Sequence, residues 1–299
     1  MTKCFQDFLK KQDVEYYENL NISHLSSIGI GTMARFVVFP NSIDALINTV
    51  NFIVDKKIKF KILGRLTNVL PQDEFYNGVL LLTRKLNRYY VAENVLNVEC
   101  GAKFSKIISE LADINFGGME KLFGIPGSVG GMVYGNAGAY GVAVSDFLIN
   151  AYVYSPSEKK ILLLSKEDLN FSYRYSSIKD TDLILLNATF TLINIPSESV
   201  KNNIRQTIEQ RKNTQPFGEK SIGSVFKRNG DIPISRLIDN LGLKGLRVGG
   251  AEVSKKHAGF IVNVGGATAK DYIELVEILK HKIKDTYGIQ PEEEIEILN

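Results

Sequence analysis

The chain is short of the residues that build metal sites and disulfide frameworks. It has two cysteines, Cys4 and Cys100, and three histidines, His24, His257 and His281, far apart along 299 residues. Those numbers and spacings argue against a Cys/His metal cluster and against a disulfide scaffold. An excess of one charge is missing too: 36 basic against 33 acidic residues leave a net +3, too even for a nucleic-acid footprint. No apolar run approaches the ~18 residues that a membrane span needs. The N-terminus, Met1-Thr2-Lys3-Cys4-Phe5-Gln6-Asp7, carries charge early and lacks a signal-peptide core. What is present, 44% apolar and 23% charged residues, is an ordinary globular composition. At roughly 100–200 residues per domain the length allows two or three domains. A soluble, cytoplasmic protein without metal, membrane or nucleic-acid partners is expected.

Apolar spacing separates three regions. Ser42 is a suitable N-cap for a helix whose apolar stripe runs Ile43, Leu46, Ile47, Val50 and Val54. Strand-like segments at 35–39, 59–63 and 79–83 surround it, a βαββ pattern that suggests a small α+β unit. Further on, 89–99 reads as strand. A helix on Phe104, Ile107, Ile108 and Leu111 follows and is expected to stop at Gly117-Gly118. Segments 150–155, 160–164 and 183–193 read as strands of one mixed sheet. A polar stretch at Pro196-Ser197 marks a boundary. Beyond it come helices on Val200, Ile204 and Ile208, then on Ile234, Leu237, Ile238 and Leu241, and finally on Tyr272, Leu275, Val276, Leu279 and Ile283. Thr268-x-x-Asp271 forms a capping box for the last one. Strands at 221–226 and 259–264 lie between these helices.

Glycine is unevenly spread, with nine of the 25 falling between Gly117 and Gly141. Glycine lets backbone N–H groups approach a ligand closely and adopt φ > 0, which suits phosphate or pyrophosphate binding. A tight array of turns between strands is the alternative. Gly29-Ile30-Gly31-Thr32-Met33-Ala34 fits G-x-G-x-x-A, but strand 35–39 follows it and nothing strand-like precedes it. The dinucleotide fingerprint needs a strand before and a helix after, so this match is rejected. No P-loop signature occurs.

Gly124-Ile125-Pro126-Gly127-Ser128-Val129-Gly130-Gly131 with Asn136-Ala137-Gly138-Ala139-Tyr140-Gly141 closely resembles the bacterial UDP-N-acetylenolpyruvoylglucosamine reductases, flavoenzymes of cell-wall precursor synthesis. The resemblance continues in family order through Ser172-Tyr173-Arg174-Tyr175-Ser176, Arg211-x-x-x-Gln215-Pro216, Gly223-Ser224-Val225-Phe226-Lys227, and 249–254 to 257–263. It ends at Glu292-Glu293-Glu294-Ile295-Glu296. The short spacing from Arg174 to Ser224 matches the family branch without an extra substrate-covering loop.

The resemblance implies an α+β fold: a two-subdomain FAD-binding domain of the p-cresol methylhydroxylase type and a C-terminal α+β substrate-binding domain. The expected limits are a leader at 1–19, the FAD domain at 20–196 (subdomains about 20–86 and 87–196) and the substrate domain at 197–299. It also implies NADPH as co-substrate, hydride delivery to C3 of the enolpyruvyl ether and protonation at C2. A monomer or weak homo-oligomer is expected. That chemistry needs a fixed cation at the substrate carboxylate, a proton donor and a polar partner for the enol. The resemblance assigns these to Arg174, Ser224 and Glu294, with Glu292 and Glu293 as competing choices for the third. By the same resemblance, Tyr173, Lys227, Arg228 and His257 bind substrate, His257 having an equally good structural reading as a strand cap. FAD is assigned to Gly64, Thr67 and Asn68 in one loop. In the other it falls to Gly124, Ile125, Pro126, Gly127, Ser128, Gly130, Gly131, Asn136, Ala137, Gly138, Ala139 and Tyr140.

Two departures qualify this. Glu296 stands where the family usually has arginine. Gly64-Arg65-Leu66-Thr67-Asn68 replaces a Gly-Gly-Gly-Ser-Asn-like loop, which predicts that FAD is bound, but more weakly than in relatives with the glycine-rich loop and at less than full occupancy, with tighter binding once glycines are restored at Arg65 and Leu66. The alternatives are a paralogue acting on another nucleotide-sugar enol ether and an idle nucleotide-sugar-binding protein.

Overall fold

Ser42 caps its helix as the sequence predicts: its Oγ accepts the Ala45 N–H at 3.1 Å, and the helix runs Ile43–Asp55. The face it buries is rotated from the expected stripe. Ala45, Leu46, Thr49, Val50 and Ile53 are inside, while Val54 is 36% exposed. Full burial of residues such as Leu46 and Val50 contributes about 1.5–3 kcal/mol each. The helix packs on a four-stranded sheet in the order Glu15–Asn21, Met33–Phe39, Tyr76–Leu82, Phe60–Leu63. The last two are parallel, with Phe60 opposite Val79. The edge strand Glu15–Asn21, polar and mostly exposed, was not legible in the sequence. It precedes Gly29 after all, but the strand Met33–Phe39 in place of a helix keeps the dinucleotide fingerprint excluded. The computed structural model describes residues 2–298. Its N-terminal helix, Thr2–Lys11, inserts Phe5 edge-on against Phe36 at 5.1 Å and stacks Phe8 on Phe52 at 4.4 Å.

The second sheet has five strands in the order Lys160–Ser165, Leu148–Ser155, Ile184–Thr191, Val95–Glu99, Tyr89–Ala92. Every pairing is antiparallel, so the mixed sheet expected from sequence is corrected. Its outer pairs are hairpins, and a short connection can join only antiparallel strands. The helix Phe104–Asp113 ends short of the glycines expected to stop it. Asn115, at φ 63°, takes the left-handed position that asparagine tolerates, and Gly117 instead pairs with Ile193.

The chain divides into two compact units, and each is described by itself. The first comprises residues 2–19, 35–65 and 77–209; the second comprises 20–34, 66–76 and 210–298. Thus 20–34 and 66–76, which the sequence reading placed in the FAD domain, fall in the unit with the C-terminal residues. Long-range packing is the reason: Ile28, Ile30 and Leu70 belong to the C-terminal core, and Val69–Pro71 forms a parallel ladder with Glu296–Leu298. The division falls inside the helix Ser197–Thr214, not at Pro196, because Val200 and Ile204 pack on the first core.

In the second unit an antiparallel sheet runs Ser221–Ser224, Phe260–Asn263, Ala251–Val253, Arg247–Val248. The helix Ala269–Tyr287 buries Tyr272, Leu275, Val276, Leu279 and Ile283. Its N-terminus carries the expected Thr268/Asp271 capping box and a second device. The Asp73 carboxylate accepts the N–H groups of Ala269 and Lys270 at 2.9 and 3.0 Å. Among the described residues no helix is long and apolar enough to cross a membrane, and no cluster of His, Cys, Asp and Glu is arranged to hold a metal.

Candidate functional site

In the first unit the glycine-rich stretch is a packed structure before it is a ligand cradle. Several amides assigned to the cofactor already donate within the protein. Gly124 N–H reaches Ser105 Oγ at 3.1 Å, Gly130 N–H reaches the Cys100 carbonyl at 2.7 Å, and Gly131 N–H reaches the N-cap Ser128 Oγ at 3.3 Å. Gly130 therefore serves close packing: a Cβ there would lie 3.1 Å from the Cys100 carbonyl oxygen. Burial pushes the Cys100 thiol up to about 12, so it is no nucleophile. Gly64 likewise serves a close approach. A Cβ on it would fall 2.2 Å from Ser128 Oγ, so only glycine lets the 64–65 backbone meet the start of the helix Val129–Tyr134. The two loops assigned separately to FAD thus meet at Gly64 and Ser128.

Beyond that helix, Gly138–Ala139 and Val142–Ala143 form a tight hairpin. Tyr140 and Gly141 sit at its tip with φ of 53° and 79°, the double left-handed geometry of a two-residue type I′ turn. Asn136, 6% exposed, engages both ends of its amide within the protein. Its Nδ2 donates to the Ser172 carbonyl at 2.9 Å, and its Oδ1 accepts the Ser145 N–H at 3.1 Å. It thereby ties the hairpin to the turn carrying Arg174. In that turn Ser172 and Tyr175 exchange N–H···O bonds of 3.2 Å, and Ser176 Oγ donates to the Tyr134 carbonyl at 2.8 Å. Arg174 itself is left-handed, φ 58°, a conformation that costs a non-glycine residue about 1–2 kcal/mol and that collects at functional sites. Its Nη2 donates to the Gly138 carbonyl at 3.1 Å, and its guanidinium lies 5.0 Å from the centroid of the half-exposed Tyr173 ring.

The altered loop divides in two. Arg65 stays with the first unit, and Arg84 anchors it by donating from Nε to the Gly64 carbonyl and from Nη2 to the Arg65 carbonyl, each at 3.3 Å. Leu66 is 2% exposed at φ 50°, and its carbonyl accepts the Ser27 N–H at 3.2 Å. Its bulk is therefore directed into protein. Thr67 and Asn68 belong to the second unit, where Asn68 Nδ2 donates to the Glu294 carbonyl at 2.9 Å. The Asn68 amide thus holds the C-terminal strand.

Ser224 and Glu294 are brought side by side within the second unit. The strand Ser221–Ser224 bulges at Gly223, φ 90°, and the next residue's carbonyl, that of Val225, accepts the Glu294 N–H at 2.8 Å. Ser224 Oγ donates to the Phe226 carbonyl at 3.2 Å. The neighbouring carboxylates are committed elsewhere, Glu292 to Lys227 and Glu293 to Lys280. Lys227, assigned to substrate, thus rests in an exposed ion pair, and Arg228 is exposed. His257 Nδ1 accepts the Gly259 N–H at 3.1 Å and the ring stands edge-on to Phe260 at 5.0 Å. Burial holds its pKa below the ordinary value, and because Nδ1 accepts, the neutral ring carries its proton on Nε2. The capping half of the two readings of His257 is therefore present. Arg84 and the bracing role of Asn136 escaped the sequence reading. Arg84 carries no motif, and the partner of Asn136 lies 36 residues away.

Two family models match the chain: "FAD binding domain" over residues 34–160 and "UDP-N-acetylenolpyruvoylglucosamine reductase, C-terminal domain" over 215–298. The reductase of that name from Caldicellulosiruptor saccharolyticus is 36% identical over 296 residues, 98% of this chain and 95% of the relative. That from Pseudothermotoga lettingae is 39% identical over 277 residues, 92% and 95% of the two chains. Among solved structures, the UDP-N-acetylenolpyruvylglucosamine reductase of Thermus caldophilus superposes with a TM-score of 0.81 at 29% identity, covering 96% of this chain and 99% of the other.

Proposed function

The chain belongs to the UDP-N-acetylenolpyruvoylglucosamine reductase family, and we propose that Arg174, Ser224 and Glu294 carry its reaction. It is an FAD-dependent oxidoreductase that uses NADPH to reduce UDP-N-acetylenolpyruvoylglucosamine to UDP-N-acetylmuramate in peptidoglycan precursor synthesis. Its fold joins an FAD-binding domain of the p-cresol methylhydroxylase type to a C-terminal α+β domain. The residues present fit a flavin dinucleotide: at Gly64 a side chain would collide with Ser128, so bare backbone faces the glycine-rich stretch there. Gly64, Ser128 and the 136–140 segment would hold it.

The chemistry supplied by the bound flavin is relay of a hydride from NADPH to C3 of the enolpyruvyl group. The product of that addition bears negative charge delocalised from C2 onto the substrate carboxylate. Arg174 meets this charge with a guanidinium that is ionised at any working pH and whose planar fork matches a carboxylate. Its left-handed backbone, its bond to Gly138 and the Tyr173 face hold that fork before substrate arrives, which is the preorganisation that electrostatic catalysis requires. Ser224 Oγ gives a proton to C2. Its bond to the Phe226 carbonyl fixes the hydroxyl, and a carbanionic centre is basic enough to take its proton. Glu294 is the acidic partner of the enol, set beside Ser224 by its bond to Val225. Lys227 and Arg228 meet the substrate diphosphate, Lys227 exchanging Glu292 for a phosphate oxygen. Tyr173 and the Nε2–H of His257 contact the nucleotide sugar. We place FAD binding at about 20–196 and substrate binding at about 197–299, with 20–34 and 66–76 packing in the second unit. The protein works in the cytoplasm as a monomer or weak homo-oligomer, without nucleic-acid or membrane partners.

The bracing of the Arg174 turn onto the Gly138 hairpin carries this assignment, because it fixes a permanent cation to the glycine-rich stretch. Stopped-flow separation of the half-reactions tests it. Ser224→Ala leaves flavin reduction by NADPH nearly unchanged and slows reoxidation by substrate ~10²–10⁴-fold, the usual scale for a general acid. Equal slowing of both halves removes Ser224 from the proton-donor role.

A further inference from the structure

We infer that Arg65 is a cationic clamp for the diphosphate of the bound dinucleotide, replacing by charge what a glycine-rich loop supplies through backbone amides. This rests on the reading of the chain as an FAD enzyme.

The Arg65 side chain is half-buried, and its Nε is enclosed without a hydrogen-bond partner. A guanidinium N–H left unsatisfied inside a protein is rare and unfavourable, so its presence points to an acceptor that arrives from outside the chain. The backbone beneath it is fixed and cannot swing the side chain away. Arg84 donates to the carbonyls on either side of the Gly64–Arg65 link, and Leu66 is locked in at φ 50°. A second cation stands close by. Burial, and then the charge of Arg65, hold the Arg84 pKa below its ordinary value, and burial does the same for Arg65. Two like charges sharing a partly dehydrated corner repel each other, and an anion carrying more than one charge offsets both effects. Position selects which anion. Gly64 abuts Ser128, so Arg65 stands at the edge of the glycine-rich stretch assigned to FAD. The planar fork of arginine matches phosphate oxygens better than the point charge of lysine does.

The proposal is tested on the holoenzyme by measuring the flavin fluorescence released on dilution, from low to moderate sodium chloride, for wild type, Arg65→Gln and Arg65→Lys. Far-UV circular dichroism establishes that each variant remains folded. The clamp requires Arg65→Gln to weaken FAD binding roughly 10- to 100-fold, the range for one charge-assisted hydrogen bond, and to flatten its salt dependence. Arg65→Lys recovers the salt dependence but only part of the affinity. Riboflavin, which has no phosphate, binds Arg65→Gln and wild type equally. Equal FAD affinity in wild type and Arg65→Gln overturns the clamp, and so does an equal loss of FAD and riboflavin, which would mark a structural role. A wild-type chain that retains no FAD under any condition overturns the flavoenzyme reading itself, and is distinguishable from both.

Discussion

Replacing Leu66 sets two effects against each other whose sizes follow from its geometry. Its left-handed backbone, φ 50°, costs an L-residue about 1–2 kcal/mol, which glycine would recover. Its side chain is 2% exposed, and truncating a buried leucine to alanine costs about 2–5 kcal/mol in lost transfer energy and cavity formation. Glycine also adds about 0.5–1 kcal/mol of unfolded-state entropy relative to alanine. Burial wins. Leu66→Gly therefore destabilises the protein by about 2–4 kcal/mol, and Leu66→Ala by a little more, because alanine loses the packing and keeps the strain. That order, glycine above alanine, reverses the usual one. Urea unfolding of the FAD-saturated protein, followed by far-UV circular dichroism, measures it. A Leu66→Gly variant as stable as wild type, or less stable than Leu66→Ala, refutes the reasoning.

Other perturbations have equally definite outcomes. Arg174→Lys keeps the charge and loses the fork, so substrate-dependent flavin reoxidation falls roughly 10- to 100-fold with flavin content preserved; wild-type turnover would make Arg174 a structural ion-pair residue. Asp73→Ala removes the acceptor of two helix N–H groups and lowers stability by about 1–2 kcal/mol in the same urea assay, an effect absent if the Thr268 box alone caps the helix. His257 has its folded pKa depressed below its ordinary value, mainly by burial. The unfolded chain thus binds its proton first, and stability present above that value declines as pH falls through it toward the folded pKa. His257→Gln makes the stability–pH curve flatter below about pH 6.5, and an unchanged slope would show that the ring does not titrate there.

The sequence by itself determined the parts of this protein whose physics is local. Ser42 and Thr268/Asp271 announce helix starts because a cap is a bond between residues three apart. The apolar stripe of Ala269–Tyr287 reads directly because helix period and burial coincide. Family membership was legible because the residues that carry the resemblance, such as 124–131 and 172–176, sit in contiguous blocks. Tertiary structure alone decided what depends on chain segments far apart. Ser27 Oγ donates to the Ser221 carbonyl across 194 residues and Asn68 Nδ2 to that of Glu294 across 226, and these bonds draw 20–34 and 66–76 into the C-terminal unit. The separate partners of three consecutive glutamates could not be read from a run of identical residues: Lys227 pairs with Glu292 and Lys280 with Glu293, while the Glu294 backbone is tied to Val225. The amides of Gly124, Gly130 and Gly131 were open to a cofactor only until folding supplied Ser105, Cys100 and Ser128 as acceptors. A backbone donor takes whichever partner the fold brings to it, and that partner leaves no trace in the donor's own stretch of sequence.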